Sequence, residues 1–301
     1  TSKRKMAKKR FDLMDPKDNY RGVSYTFFAV VLWSFIGIPV RWMPEVKSGM
    51  IVAYRFLFAS IVLLAYGILT KKSSKIKIKL KDIPYLLVPA ILLSFTIYTY
   101  TIGLKTTTIA NTIFLQQMAP LYVLVISALL LKEKASKKTT IAVLIGIAGG
   151  LIIFYYDLSS INVTTNFYGN VMSTFSGFGW ALYTISMRAL GKKYDGLTTT
   201  LWMFIFATII MSPFFYGSEI LTPFSLSMLF LLGFLCTAGA FLLYSIALKH
   251  IIATKASIIV LSEGVLAGIL AFLILNETVT QGTIIGGALI LISIVIVLRE
   301  K

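Results

Sequence analysis

The sequence predicts an all-α membrane protein: ten transmembrane helices arranged as two inverted five-helix repeats. Three observations carry this. The 301 residues are 57% hydrophobic and only 14% charged, against about 25% charged in soluble domains. Ten apolar runs divide the chain, each of roughly 18–25 residues, the length that crosses about 30 Å of hydrocarbon as a helix. Finally, the chain echoes itself at half its length: Tyr100–Lys105 reads YTIGLK and Tyr244–Lys249 reads YSIALK.

The runs fall near 22–43, 48–69, 83–104, 107–131, 138–155, 168–189, 197–216, 225–248, 254–275 and 281–298. Spanning strands are excluded, because they would be shorter and would alternate apolar with polar residues. The connecting segments are strongly biased in charge. Eight basic residues precede the first run, and six lysines lie in the stretch KKSSKIKIKLK between the second and third. With the segments after runs 4, 6, 8 and 10, one side of a ten-helix bundle holds 24 of the 29 Lys and Arg residues. The positive-inside rule then puts both termini in the cytoplasm. An integral protein of the plasma (inner) membrane is expected. The formal charge of +17 is explained by this bias, so no nucleic acid partner is expected.

The internal echo extends beyond one hexapeptide. Trp33–Arg41 (WSFIGIPVR) is answered by Trp180–Arg188 (WALYTISMR), and LLLKEK at Leu129–Lys134 by LILNET at Leu273–Thr278. Five helices per half is an odd number, so the second half enters the bilayer from the opposite side. Arg41, Lys105 and Glu277 then lie outside, and Arg188, Lys249 and Glu133 inside. The expected organisation is a basic cytoplasmic tail (1–21), a first repeat (22–155), an extracytoplasmic linker (156–167) and a second repeat (168–298). Mirrored halves of this kind are typical of secondary transporters, which exchange an outward-open for an inward-open shape around a midplane site.

The ordered set of motifs resembles the drug/metabolite transporter superfamily in its ten-helix EamA-type branch. The resemblance covers about 22–298. It rests on the Trp33–Arg41 stretch, on YRFLFAS (Tyr54–Ser60) and on GLKTTTIANTIFLQQMAPLYVLVISALLLKE (Gly103–Glu133). In the second half it rests on WALYTISMR, on Tyr244–Glu277 and on GGALILISIVIV (Gly286–Val297). It implies a substrate passing through a central cavity, with the fifth and tenth helices peripheral. Gly264 departs from the pattern, since many relatives have proline after the glutamate; the mirror position does carry proline, Pro120.

Among the twelve acids, only Glu263 lies well inside a predicted helix, about 13 Å from the start of its run. A charge at that depth costs about 3 kcal/mol on insertion scales. It needs a partner, a wet cavity or a proton. Two readings stand: a cavity group that holds a solute ammonium or a coupling proton, and a buried structural ion pair, for which Arg55 is the candidate partner. Arg55 is read as a structural or gating residue. Lys255, at the inner end of the ninth run, shares a face with Ser262. In the fourth run Thr108, Thr112 and Gln116 form one polar stripe, with Gln117 beside it. Gln116, Gln117 and Ser262 are candidate solute contacts. So are the aromatics Trp33, Trp180, Tyr98, Tyr183 and Tyr244, which can face a cation or simply pack helices. Tyr100 and Pro120 join Arg55 and Lys255 as gating or structural candidates.

One histidine and one cysteine supply no metal cluster, and no P-loop GxxxxGK[ST] occurs. No catalytic residue, metal or cofactor is expected. The expected activity is secondary active transport or exchange of a small polar organic solute (an amino acid, amine or related metabolite). The expected partners are that solute, the lipid bilayer and a coupling proton, with the chain a monomer or homodimer. A membrane-embedded enzyme and a channel or scramblase are the alternatives.

Overall fold

In the computed structural model the described residues are 16–70, 78–119, 121–122, 126, 137–158, 163–190, 196–216, 221–250 and 259–298. They form ten helical elements that match the ten apolar runs. Element α1 spans Pro16–Ser34 and resumes as Gly37–Arg41. It is followed by α2 (Ser48–Leu69), α3 (Ile83–Thr106), α4 (Ile109–Gln116) and α5 (Lys137–Leu158). The second half comprises α6 (Val163–Leu190), α7 (Gly196–Ile210) and α8, a composite of Pro223–Leu231, Leu232–Gly239 and Ala240–His250. Helices α9 (Ser262–Leu275) and α10 (Gln281–Leu298) complete it. Pro120 and Lys255 lie outside the described residues.

Among the described residues four helical stretches are long and apolar enough to cross a membrane alone: Tyr20–Arg41, Ser48–Leu69, Leu80–Thr106 and Pro223–Tyr244. Shorter apolar helices cover Thr140–Tyr156, Gly196–Ile210, Ser262–Leu275 and Gln281–Ile296. Their outward faces are greasy. Ile141, Leu144, Leu151 and Tyr155 on α5, and Ile284 and Ile292 on α10, are exposed. In water such a surface would aggregate; in a bilayer it is the lipid face. The fold is that of an all-α integral membrane protein.

Local chemistry sets the breaks. The described residues open in helix at Pro16, so the end of the basic segment, from Pro16 on, is itself helical. Helix α1 breaks at Phe35–Ile36 because Pro39 has no N–H for the carbonyl of Phe35 and its ring crowds that oxygen. Ile38 N–H takes this carbonyl instead, at 3.2 Å. In α8 the segment Leu232–Gly239 is π-helical, and the Thr237 hydroxyl donates to the carbonyl of Leu232 five residues back, at 2.8 Å.

Each half packs mainly against the other. Helix α3 lies along α6, α8 along α1, α2 against α7, α4 against α9 and α5 against α10. Small residues permit the close approaches, as expected where no solvent drives helices together. A Cβ on Gly37 would lie 2.4 Å from the Ile109 side chain, and one on Gly177 2.9 Å from the carbonyl oxygens of Leu115 and Gln116. Polar side chains buried between helices are bonded across them. Thr283 donates to Asn111 Oδ1 at 2.6 Å, and Thr107 donates to Asn170 Oδ1 at 2.8 Å. Most other buried hydroxyls donate to carbonyls one turn back, as Ser94, Thr96 and Thr101 do. Such bonds satisfy polar groups locally where water is absent.

Candidate functional site

Helices α4 and α9 run antiparallel with a tight register. Gly268 faces Ala110, and a Cβ on Gly264 would lie 2.9 Å from the ring of Phe114. A turn further along, Gln117 Nε2 donates to the Val260 carbonyl at 3.4 Å. Glycine at 264 therefore has a packing role, because it admits the Phe114 ring. This contact sets the opening turn of α9, which carries Ser262 and Glu263.

Glu263 is buried, 8% exposed. It lies within electrostatic range of Arg55 and Tyr100, which are also buried and within range of each other. The guanidinium of Arg55 is anchored elsewhere: its Nε donates to Thr237 Oγ1 in the π-helical stretch of α8. Thus α2, α3, α8 and α9 all contribute to one charged centre in the core. Among the described residues, the Tyr100 hydroxyl and Gln117 Oε1 are buried without a hydrogen-bond partner. Ser262 donates to the carbonyl of Ile259 at 2.6 Å, which ties its hydroxyl to its own helix.

The polar stripe of α4 divides its duties. Thr108 caps the helix by accepting from Asn111 N–H at 3.2 Å, and the Thr112 hydroxyl returns to the Thr108 carbonyl at 3.0 Å. Gln116 Nε2 donates to Ser176 Oγ on α6 at 2.8 Å. Gln117, off the stripe, therefore bonds to the chain just before α9, while Gln116 joins α4 to α6.

Aromatic rings gather next to this centre. Trp33 packs on Phe241 (ring centroids 5.5 Å apart) and on Tyr244 (5.3 Å). Trp180 packs on Tyr183 (5.2 Å) and on the same Phe241 (6.4 Å). The two tryptophans at matching positions in the halves thus meet on one ring. Tyr98 lies apart, against Phe214 at 5.4 Å. Phe241 is the residue that sequence reasoning missed. Its only sequence signal is its place one turn before Tyr244.

A second cluster closes one end of the bundle. The carboxylate of Glu277 forms an ion pair with Arg41 (Oε1 to Nη2, 2.9 Å) and accepts from the free N–H of Ile109 at the start of α4, at 3.0 Å. A carboxylate at a helix N-terminus is well placed for the backbone dipole. Arg41 also donates to the carbonyls of Lys105 and Thr107. Lys105 Nζ donates to the carbonyls of Met43, Pro44 and Val46 at 3.2, 2.9 and 2.6 Å. Ser225 donates to Glu45 at 2.7 Å. Bonds to its own backbone amide and to Ser225 hold Glu45 below the ordinary carboxylate range. Glu277 is aimed by the end of α9. Asn276 adopts φ 54°, the left-handed region that asparagine tolerates, and both its N–H and that of Glu277 return to the Ala271 carbonyl, the latter at 3.2 Å, so a left-handed residue ends the helix. The matching offsets of Arg41 with Arg188 and of Glu133 with Glu277 were the available sequence signal.

Among the described residues, no three His, Cys, Asp or Glu side chains gather as a metal site would require. The arrangement is a buried polar centre holding one acid and one guanidinium, beside an aromatic cluster, with ionic contacts at one end.

The chain is similar to known transporters over most of its length. It is 27% identical to an uncharacterized transporter of Archaeoglobus fulgidus over 266 residues, covering 86% of this chain and 90% of the relative. It is 24% identical to the uncharacterized transporter YwfM of Bacillus subtilis over 286 residues, covering 92% and 94%. A solved crystal structure superposes with a TM-score of 0.65 at 16% identity, over 94% of this chain and all of that one; this likeness speaks to fold alone. The profile of the EamA-like transporter family matches twice, at residues 20–155 and 167–299. Two repeats of that family account for nearly the whole sequence, and the chain belongs to the EamA-like transporter family.

Proposed function

We propose that the protein is a secondary active transporter or exchanger that moves a small polar organic solute (an amino acid, amine or related metabolite) by alternating access, and that no enzymatic step is involved. The observation that carries this reading is the pattern of helix pairing. Exchanging each helix for its counterpart five places on turns the α1–α8 contact into α6–α3, and it returns α2–α7, α4–α9 and α5–α10 to themselves. Such self-mapping is what two inverted repeats around a shared site would produce. The midplane centre around Glu263 then serves as the solute site, where the carboxylate meets a cationic group or a coupling proton. Gln117, Trp33, Trp180, Tyr183 and Tyr244 border it, and Arg55 braces it from α2.

With both termini in the cytoplasm, as the positive-inside rule directs, the Arg41–Glu277 end faces outward. The contacts of Arg41, Lys105 and Glu277 hold that end shut in this conformer. Opening outward requires these bonds to part, while closure of the inner end supplies replacements.

The test needs no knowledge of the solute. Cys236 is the single cysteine and is buried; in a Cys236→Ala background, Trp42→Cys and Gly196→Cys place a thiol near each end. A membrane-impermeant maleimide should label the first from outside cells only and the second from inside only. Glu277→Gln should raise labelling at position 42 and lower it at position 196. Labelling of both from the same side rejects the topology. A Glu277→Gln change without a reciprocal effect rejects alternating access.

A further inference from the structure

Among the described residues, π-helical turns occur only at Leu232–Gly239 in α8. A side chain marks the register. The hydroxyls of Thr26, Thr96, Thr101 and Thr208 donate to carbonyls four residues back, as in an α-helix. That of Thr237 reaches Leu232, five back. Two contacts with α2 hold the stretch there. Arg55 Nε donates to the same Thr237 Oγ1. A Cβ on Gly233 would lie 2.5 Å from the Cβ of Phe58 and 3.0 Å from the Arg55 carbonyl oxygen, so the two backbones touch. The segment before the π stretch, Pro223–Leu231, belongs to the closed end of the bundle, where its Ser225 donates to Glu45 on the connection after Arg41. The segment after it carries Phe241 and Tyr244, both packed on Trp33 in the core. The π stretch therefore joins a part of α8 engaged at that end to a part engaged in the middle.

The internal repeat gives this stretch a counterpart. Matching Tyr100 to Tyr244 sets Val88–Phe95 of α3 against Leu232–Gly239, and Pro89 against Gly233. Helix α3 is α-helical throughout. Even so, Pro89 has no N–H for the carbonyl of Tyr85, and that turn lacks one rung of its ladder. Prolines and π-bulges are both places where long helices bend. The same position in the two halves thus carries two devices, one engaged and one idle. In an inverted arrangement Gly233 lies toward the Arg41–Glu277 end and Pro89 toward the opposite end.

We propose that these are paired hinges used in turn. Helix α8 is π-helical at Leu232–Gly239 while the Arg41–Glu277 end is shut. In the conformer open at that end it reverts to α-helix, and α3 bends at Pro89 to shut the other end. This rests on the carrier reading and adds to it the two helices that change shape. Reversion takes the Thr237 hydroxyl off the Leu232 carbonyl, so the bonds of Thr237 favour the form shut at the Arg41–Glu277 end.

The experiment uses the full chain in the Cys236→Ala background, with Trp42→Cys and Gly196→Cys labelled as above. Thr237→Val keeps the shape and deletes the hydroxyl. It should raise the labelling rate at position 42 and lower it at 196, each about fivefold, the scale of one hydrogen bond. Thr237→Ser keeps the hydroxyl and should match its parent. Pro89→Ala restores the missing N–H and should act in the opposite sense, lowering labelling at 42 and raising it at 196. A merely structural role would lower the thermal midpoint without moving the two ends in opposition. Amide hydrogen exchange in nanodiscs reads the hinges themselves, because a turn with displaced backbone bonds opens more readily. In Glu277→Gln, exchange should slow at 232–239 and quicken at 88–95. The proposal is overturned if Thr237→Val and Pro89→Ala shift labelling in the same sense or not at all. It is also overturned if Glu277→Gln moves the two ends reciprocally while exchange in both segments stays unchanged. That last result would leave the carrier reading standing, whereas a Glu277→Gln variant with no reciprocal labelling would reject the carrier and its hinges together.

Discussion

Glu263 concentrates the residue-scale physics. A carboxylate in the middle of a bilayer costs about 3 kcal/mol on insertion scales. Here a neutralising guanidinium lies in range, yet Arg55 directs its Nε to Thr237. Under the carrier reading proposed above, a cation in range but bonded elsewhere leaves the acid able to trade partners. Glu263→Gln keeps the shape and removes the charge. In proteoliposomes it should cut solute exchange at least about tenfold and flatten its pH dependence, whereas a purely structural acid would leave both unchanged. Gly264 is the second residue to test. Gly264→Ala sets a methyl 2.9 Å from the Phe114 ring, and overpacking of this kind costs about 1–3 kcal/mol. The thermal midpoint in detergent should fall by several degrees. Glu263 was legible in the sequence because a lone acid in an apolar run is conspicuous. The division of labour between Gln116 and Gln117 was not. Neighbouring residues on a helix point about 100° apart, and only the fold reveals that Ser176 engages Gln116. Phe241 was equally silent, as one of 21 phenylalanines in a chain rich in them.

At the scale of the element, the runs themselves were readable because helix length must match bilayer thickness. The interruptions were only half readable. A proline such as Pro39 marks a possible break, although Pro89 lies within the unbroken α3, whereas nothing in LGFLCTAG announces the π-helical turn of α8. That stretch depends on tertiary contacts, including the one between Thr237 and Arg55. The left-handed turn at Asn276 that ends α9 is a local device with a distant effect, since it aims Glu277 at Arg41. Asn276→Gly should be tolerated. Asn276→Val, β-branched at positive φ, should cost about 1–2 kcal/mol and loosen the Arg41 contact, seen as a lower thermal midpoint. The ion pair is partly exposed, 27% and 17% for the two side chains, so its net worth is about 1 kcal/mol. Arg41→Glu should shift labelling at the outer end several-fold, and Arg41→Glu with Glu277→Arg should restore most of it. Failure of the double variant to recover would mean that the backbone contacts of Arg41, not the pair, hold that end.

For the whole molecule, internal repetition was the most legible property, because two copies of one pattern leave paired motifs at a constant offset. What those copies do together was not legible. The sequence contains no record of which helix touches which, and the self-mapping contact pattern emerges only in three dimensions. If the halves are inverted and exchange shapes, the two ends of the bundle must move in opposition. Electron–electron distance spectroscopy on spin labels measures this directly, with one pair at Trp42 and Val279 and another at Tyr20 and Gly196, in a Cys236→Ala background in nanodiscs. Titration with an exchanged solute, or disruption of the Arg41–Glu277 contact, should lengthen one distance while shortening the other. Distances that lengthen together, or a carrier that exchanges solute while neither distance changes, would contradict the account.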